Sequence, residues 1–243
     1  MIVLIITAVR VKSMDSHRIS GRILAENIAG PGMLRLVEQS MQAQARKTSV
    51  TEIAVKERKY PQAALTFDDG PDIRYTPLLL DGLKERNVRV SFFLLGEKVE
   101  QYPELVERMQ KEGHLVGNHT YHHVQLNKLN ETKAREEILK TNNLIYETTG
   151  VYPLYLRPPF GAWKKNLELC VEMLPVFWTI DTLDWKVQNT EKIVRTVQEQ
   201  IEDGAIILMH DEYDTSVEAA LQVVDELKNQ GYELVTVDQL ILP

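Results

Sequence analysis

From Pro61 onward the chain repeats one pattern, a short apolar run followed by a longer amphipathic segment. The apolar runs lie at Ala63–Phe67, Val88–Leu95, Leu115–Gly117, Leu154–Arg157, Val176–Ile180, Ala205–Met209 and Glu233–Val237. The amphipathic segments lie at Thr76–Arg86, Glu97–Lys111, Glu131–Thr148, Lys164–Met173, Thr190–Glu202 and Thr215–Asn229. Alternation at this spacing predicts parallel strands joined by helical crossovers, so the fold class is α/β. The number of units favours a barrel-like closure over an open sheet.

Glycines mark the predicted ends of several of these helices. Gly113, Gly150, Gly204 and Gly231 each follow an amphipathic segment. Helices commonly end at a residue in the left-handed conformation, which glycine adopts without steric cost. We therefore expect these four residues to be C-terminal caps.

Residues 1–60 do not share this pattern, and we expect them to form an N-terminal arm ahead of a domain at residues 61–243. Ser20–Arg46 has helical character with a break at Gly30-Pro31-Gly32, and Thr48–Tyr60 resembles a charged linker or edge segment. Met1–Val9 is apolar but too short to span a bilayer as a helix, and no basic residues precede it as in a secretory signal. It is interpreted as an anchor remnant and possible membrane tether, a start-site artefact or a strand.

Charge and cysteine content exclude two classes of function. The 28 Lys and Arg residues against 35 Asp and Glu residues give a net charge of −7, with the basic residues scattered along the chain. Nucleic-acid binding is therefore not expected. The single cysteine, Cys170, allows neither an internal disulfide nor a cysteine metal site, and its apolar setting indicates core packing.

Polar residues with metal-binding chemistry follow two of the apolar runs. Asp68 and Asp69 come after Ala63–Phe67, and His119 and His123 come after Leu115–Gly117. Parallel α/β folds place their active sites at such strand ends. In a helical turn, histidines four apart share one face, so Asp69, His119 and His123 form a candidate metal site. His122, at a spacing of three, is the alternative to His123.

The metal expected at this set is Zn²⁺, because two histidines and one carboxylate are common zinc ligands in hydrolases. The same donors also accept Co²⁺, Mn²⁺, Ni²⁺ or Fe²⁺. Asp68 is then left to act as the general base. Arg157, which ends another apolar run, is expected to keep the Asp68 carboxylate ionised and oriented, with a surface ion pair as the alternative. The Phe160 N–H, in the adjacent Pro-Pro-Phe-Gly loop, is a candidate oxyanion donor.

A second group of candidates supplies a general acid and an apolar wall. His210 follows Ala205–Met209, and Asp181 follows Val176–Ile180. We expect Asp181 to orient His210 and raise its basicity. The alternative role for Asp181 is a helix cap. The alternative roles for His210 are a metal ligand or a structural residue. Trp185 and Leu208 are candidates for the wall around a small acyl methyl. Of the remaining histidines, His17 is expected on the surface and His114 in a structural role beside the Gly113 cap.

Taken in order, these segments resemble the polysaccharide deacetylases of carbohydrate esterase family 4, the NodB-homology domain. The matching motifs are Thr66-Phe67-Asp68-Asp69-Gly70-Pro71-Asp72, His119-Thr120-Tyr121-His122-His123, Arg157-Pro158-Pro159-Phe160, Asp181-Thr182-Leu183-Asp184-Trp185 and Leu208-Met209-His210. The resemblance implies a distorted (β/α)7 barrel, usually with zinc, acting outside the cytoplasmic membrane. It implies Asp68 as the base and Asp69, His119 and His123 as metal ligands. Phe160 stands where tyrosine is commoner.

The expected activity is removal of acetyl from an N-acetylated sugar in peptidoglycan, chitin oligomers or poly-N-acetylglucosamine. The alternatives are an O-acetyl esterase acting on acetylated xylan, a binding module that has lost catalysis, and a hydrolase of small amides or ureides. The amide reaction depends on a proton donor for the leaving amine more than the ester reaction does, because an alkoxide leaves more readily. The sequence does not identify the glycan, and a monomer is expected.

Overall fold

The computed structural model describes residues 59–163 and 173–241. Several expectations lie outside the described residues: those for Met1–Val9, His17, Ser20–Arg46, Cys170, nearly all of Thr48–Tyr60 and nearly all of the predicted helix Lys164–Met173.

Within these ranges strands and helices alternate as predicted. The strands are β1 (Gln62–Asp68), β2 (Ser91–Leu94), β3 (Leu115–Asn118), β4 (Tyr155–Leu156), β5 (Leu174–Pro175), β6 (Ile180–Asp181), β7 (Ala205–His210) and β8 (Glu233–Leu234). The α-helices are α1 (Thr76–Glu85), α2 (Gly96–Gln101), α3 (Pro103–Lys111), α4 (Glu131–Thr149), α5 (Asp184–Val187), α6 (Thr190–Gln200), α7 (Asp214–Asn229) and α8 (Val237–Ile241). Short 3-10 turns lie at Leu126–Lys128 and Pro159–Gly161.

The strands form one parallel sheet in the order β5-β4-β3-β2-β1-β7-β6, with β8 paired to β1. Every strand pair in it is parallel. The predicted α/β class and the distorted barrel of parallel strands are confirmed. The barrel has the form of a half-barrel sheet surrounded by helices. In the described part of the chain, hydrogen-bonded pairing ends at β5 on one side and at β6 on the other. The single strand predicted at Val176–Ile180 is wrong, since two short strands, β5 and β6, flank most of that segment.

The helices follow the amphipathic segments with one interruption. The predicted helix Glu97–Lys111 is two helices that meet at Tyr102, whose backbone is non-helical (φ −133°, ψ 56°). The reason is Pro103, which disfavours helical geometry at the residue before it but is accommodated at the start of the next helix. The predicted glycine caps are confirmed at Gly113, Gly150 and Gly231, which end their helices with positive φ. The cap predicted at Gly204 is wrong, because α6 ends at Gln200 and Gly204 lies in the turn before β7. None of the helices in the described residues is both long and apolar enough to cross a membrane.

The neighbouring strands β1 and β7 contribute to the core from one face of the sheet and to the site at their carboxyl ends. On β1, Ala63, Leu65 and Phe67 belong to the main hydrophobic cluster, which the helices cover. Successive side chains of a strand point to opposite faces, so Thr66 and Asp68 lie on the other face. The ladder between β1 and β7 pairs Asp68 with His210. The sheet therefore holds a carboxylate and an imidazole side by side at its carboxyl edge.

Candidate active site

Polar side chains from four strand ends gather at the carboxyl edge of the sheet. Asp68 ends β1 and is followed by Asp69, and His119 follows β3 directly. Arg157 follows β4, and His210 ends β7. These strands are neighbours in the parallel sheet apart from β2 between β1 and β3, so their carboxyl ends meet in one cleft.

Asp69, His119 and His123 form a compact set of potential metal ligands. One ligand atom from each residue lies within 4.8 Å of the others. The Asp69 Oδ1 atom is 3.4 Å from the Nε2 atoms of both histidines, and it is buried with no hydrogen-bond partner within the described residues. Leaving a buried carboxylate oxygen without a partner is costly unless a cation satisfies it. The donor set therefore fits a divalent metal ion.

The charge at Asp69 agrees with this interpretation. Burial would raise the pKa of Asp69, but its close interactions with the imidazoles of His119, His123 and His210 lower the pKa below its ordinary value. The carboxylate is therefore ionised across the physiological range, as a metal ligand must be.

His119 is held in the tautomer that a metal ligand requires. Its Nδ1 atom lies 2.6 Å from the carbonyl oxygen of Arg157, which can only accept a hydrogen bond. Nδ1 therefore carries the proton. The Nε2 atom, which faces Asp69, keeps a free lone pair that can bind a metal ion. A backbone carbonyl behind a ligating histidine fixes the orientation of the ring.

The segment from His119 to His123 is bent and is not the helical turn that we expected. Thr120 and His123 both have left-handed backbones, with φ of 68° and 54°. Because the bend turns His123 toward Asp69, it directs His122 elsewhere: the His122 Nδ1 atom lies 2.8 Å from Glu137 Oε1. The structure therefore places His123, and not the alternative His122, in the cluster.

Asp68 is paired with Arg157, as predicted. The Arg157 Nη1 atom donates to Asp68 Oδ1 at 2.8 Å and to Thr66 Oγ1 at 2.7 Å. The Arg157 side chain is 0% exposed and its guanidinium lies 4.3 Å from the centre of the Phe93 ring. The alternative of a surface ion pair is therefore excluded. The other Asp68 oxygen, Oδ2, faces the site 3.7 Å from His119 Nε2.

His210 is paired with Asp184, and the predicted pairing with Asp181 is wrong. The backbone N–H and the Nδ1 atom of His210 both bond the buried Asp184 carboxylate, at 2.7 Å each. Asp181 instead accepts the N–H of Leu183 at 3.0 Å, in a turn ahead of α5, and this helix has no side-chain cap, so the alternative role of Asp181 as a helix cap is wrong as well. Leu183 has a left-handed backbone, and this turn brings the first residue of α5 under the imidazole.

The carboxylates around His210 favour its protonated form. Burial alone would lower the pKa of His210, but the hydrogen bond to Asp184 and the charges of Asp184, Asp68 and Asp69 raise it to about 9. Its Nε2 atom faces the cleft, 3.8 Å from Asp69 Oδ2. The imidazolium is therefore available as a proton donor at neutral pH.

The remaining predicted residues lie around the same cleft. The Phe160 ring packs 4.5 Å from that of His123, is 62% exposed, and belongs to a residue with a left-handed backbone. Leu208 is buried in β7, two residues before His210 and thus on the same face. Trp185 follows Asp184 on α5 and is half exposed.

Sequence reasoning missed two buried carboxylates beside the site. Asp184 stands inside a motif already identified, three residues after Asp181, and Asp211 follows His210 directly. Burial raises the pKa of Asp211 to about 7, although a hydrogen bond from Thr76 and the charge of Lys98 act in the other direction. Adjacency to the candidate acid was the available signal for Asp211.

His114 has the structural role that was expected. It is buried, and its Nδ1 atom accepts the N–H of Val90 at 3.1 Å. The residue therefore links the chain before β3 to the chain before β2, away from the cleft.

A family model described as polysaccharide deacetylase matches residues 56–177, half of the chain. The chain belongs to the polysaccharide deacetylase family, which confirms the resemblance drawn from its motifs.

Several relatives are similar along the described domain. The chain is 42% identical over 185 residues to the peptidoglycan-N-acetylglucosamine deacetylase PgdA of Listeria monocytogenes, covering 76% of this chain and 40% of that protein. It is 40% identical over 186 residues to a peptidoglycan-N-acetylglucosamine deacetylase of Bacillus cereus, covering 74% of this chain and 68% of the other. The structure of the peptidoglycan deacetylase PdaC from Bacillus subtilis matches with a TM-score of 0.73 and 42% identity, over 75% of this chain and 91% of that one. The chain thus spans about two fifths of the length of the Listeria relative.

Proposed function

We propose that this chain hydrolyses the acetamide of an N-acetylated amino sugar in peptidoglycan, releasing acetate and a free amine. The observation that carries the proposal is the arrangement at the carboxyl edge of the sheet. A buried Asp68–Arg157 pair and a buried His210–Asp184 pair flank the ligand set around Asp69. The names of the relatives support peptidoglycan as the glycan.

Asp69, His119 and His123 would hold a divalent metal, with Zn²⁺ favoured by two imidazoles and one carboxylate. When bound, the ion supplies Lewis-acid polarisation of the substrate carbonyl and lowers the pKa of water. His119 contributes a fixed Nε2 atom, because its Nδ1–H is committed to the Arg157 carbonyl.

Asp68 accepts the proton of the attacking water. Its Oδ1 atom is occupied by Arg157, so Oδ2 is the oxygen available to the cleft. The hydrogen bond from the guanidinium fixes the orientation of the carboxylate. Asp68 therefore does not need to ligate the metal in order to be fixed in place.

His210 donates a proton to the departing amine. An amine is a poor leaving group unless it is protonated, and the imidazolium held by Asp184 is positioned to supply that proton. Asp184 keeps Nδ1 protonated and directs Nε2 into the cleft. The in-register pairing of Asp68 with His210 places the proton acceptor and the proton donor on neighbouring strands.

The acetyl group is accommodated by the residues around these two pairs. In this proposal the Phe160 N–H stabilises the oxyanion that forms from the carbonyl, and Trp185 and Leu208 contact the acetyl methyl. We further propose that residues 61–243 form the catalytic domain, that residues 1–60 are an arm, and that the enzyme acts as a monomer at the cell surface, where its substrate lies.

Acetate release from purified peptidoglycan, chitin oligomers and acetylated xylan tests the proposal, measured before chelation, after chelation and after Zn²⁺ is restored. Metal-dependent acetate from peptidoglycan supports it, and the Asp68→Asn variant controls for contaminating activity. Release from xylan alone would reassign the chain to the O-acetyl esterases. No acetate from any substrate, with metal bound, would refute hydrolysis of these glycans.

A further inference from the structure

Asp211 lies against the turn that carries Asp69. Its side chain is fully buried, directly after His210 at the end of β7. A Cβ atom built on Gly70 would lie 2.5 Å from Asp211 Oδ1 and 2.8 Å from Oδ2. The carboxylate therefore packs on the backbone of Gly70, and only glycine leaves room for it.

Thr76 connects the same carboxylate to the far side of the turn. Its hydroxyl donates to Asp211 Oδ2 and accepts the N–H of Asp72 at 2.7 Å. The N–H of Thr76 in turn donates to the Asp72 carbonyl at 3.1 Å. A continuous chain of hydrogen bonds thus runs from Asp211 through Thr76 to Asp72, and Thr76 is fully buried.

The turn is fixed on its other side by the neighbouring strand. The Leu95 N–H, just after β2, donates to the Gly70 carbonyl at 3.2 Å. Asp69 has a left-handed backbone, with φ of 68°, a conformation that is uncommon outside glycine although aspartate adopts it more readily than most residues. The contacts of Asp211 and Leu95 on Gly70 hold the residue that follows Asp69 in this turn.

The interaction at Asp211 carries a cost in stability. Its Oδ1 atom is buried without a hydrogen-bond partner in the described part of the chain. A residue that served only to fill this space would be better replaced by an apolar one, because an unpaired buried acceptor destabilises a fold. The carboxylate therefore calls for an explanation other than packing.

We propose that Asp211 is a positioning residue, which through Gly70 and Thr76 holds the Asp69 carboxylate at its place between the two histidines and His210. The inference rests on the proposed function, since it assigns Asp69 to the metal. Because Asp211 directly follows His210, the end of β7 positions the proton donor His210 and, through the turn at Gly70, the ligand Asp69. The Oδ2 atom of Asp69 lies 3.8 Å from His210 Nε2. Removal of Asp211 should therefore affect metal affinity and turnover more than substrate binding.

The test uses two variants, Thr76→Val and Asp211→Ala. Thr76→Val removes both hydrogen bonds of the Thr76 hydroxyl, to Asp211 and from Asp72, at nearly constant side-chain volume. Each should weaken Zn²⁺ binding and lower kcat by about 10-fold, the lower end of what outer-shell substitutions cost, with little change in KM. Thr76→Ser and Asp211→Asn should keep Zn²⁺ affinity and kcat within about 3-fold of the wild type, since both variants retain the hydrogen bonds between residues 211, 76 and 72. Calorimetric titration with Zn²⁺ gives the affinity without any substrate.

Ser91→Ala is the matched control. Ser91 is fully buried at the opposite end of β2, and its Oγ atom accepts the N–H of Val237 at 3.0 Å. Losing that bond should lower stability without altering Zn²⁺ affinity. The inference is overturned if Thr76→Val binds Zn²⁺ as the wild type does, or if Ser91→Ala loses as much affinity. A wild-type chain that binds Zn²⁺ but releases no acetate refutes the proposed function, whereas the affinities still decide the role of Asp211.

Discussion

His210 and Asp184 are joined by two hydrogen bonds of 2.7 Å, one from the imidazole Nδ1–H and one from the backbone N–H of His210. The carboxylate thus fixes the strand end and the ring together. Because Asp184 is fully buried, its negative charge acts on the imidazole with little screening.

Replacing Asp184 by Asn should lower kcat by about 100-fold, because general acid catalysis of this kind contributes at least that much. Asp181→Asn is the matched control, since an asparagine still accepts the N–H of Leu183. The measurement is steady-state acetate release from peptidoglycan with both variants loaded with Zn²⁺. Equal losses in the two variants would contradict the assignment of Asp184.

Replacing His119 by Ala should abolish tight Zn²⁺ binding, because it removes one of three ligands. His122→Ala should retain it, since His122 is turned toward Glu137. Calorimetric titration and metal analysis after dialysis measure the effect. Loss of zinc in His122→Ala, with retention in His119→Ala, would show that the ligand set is wrongly assigned.

Asp68→Asn should retain the metal and lose turnover. The amide keeps an oxygen that can accept from Arg157 but cannot take a proton from water, so kcat should fall by about 100-fold or more. The zinc content of the variant is measured beside its activity. Substantial turnover in a zinc-loaded Asp68→Asn protein would disprove the role of Asp68 as base.

Arg157→Met should destabilise the fold and remove activity. It leaves the Asp68 carboxylate buried without its partner, which costs about 3 kcal/mol in comparable buried pairs. Arg86→Met is the control, because Arg86 pairs with Asp225 near the surface and should cost less than about 1 kcal/mol. Urea unfolding of both variants compares the two. If Arg157→Met and Arg86→Met lowered the free energy of unfolding by similar amounts, the importance of the buried Asp68–Arg157 pair would be refuted.

His114 should make the fold sensitive to acid. Burial lowers its pKa to about 4 from 6.5, so the unfolded chain binds a proton more readily than the folded one. The resulting stability is complete above pH 6.5 and is lost as the pH falls toward 4, by about 3 kcal/mol. His114→Gln should show a flatter pH dependence of unfolding over that window. A variant as acid-sensitive as the wild type would rule out this origin, and His122→Gln, at an exposed imidazole, is the control.

The strand ends and the residues of the candidate metal site were predictable because they depend on residue type and spacing. Asp69, His119 and His123 carry donors that metals select, and apolar runs before them locate the edge of the sheet. The partner of His210 was not predictable in this way. Asp181 and Asp184 are both acidic, and the choice between them depends on the left-handed backbone at Leu183, which an apolar pattern does not encode.

Other differences have similar local causes. Pro103 divides a segment whose amphipathic pattern is continuous, and the bend at Thr120 replaces a helical turn at the same four-residue spacing. At both places the spacing of apolar and polar residues predicts which side chains share a face. The path of the backbone depends on a single residue, Pro103 in the first case and Thr120 in the second. The role of Asp211 depends on Gly70, far away in the sequence, and so required the structure.

The pairing of Asp68 with His210 also limits how a deacetylase of this kind can change. Inserting or deleting one residue within β1 or β7 would turn the carboxylate or the imidazole into the hydrophobic core, because strand side chains alternate in direction. The loops around the cleft are outside this register, so we expect changes in glycan preference to arise in the loops while the pairing of Asp68 with His210 stays unchanged.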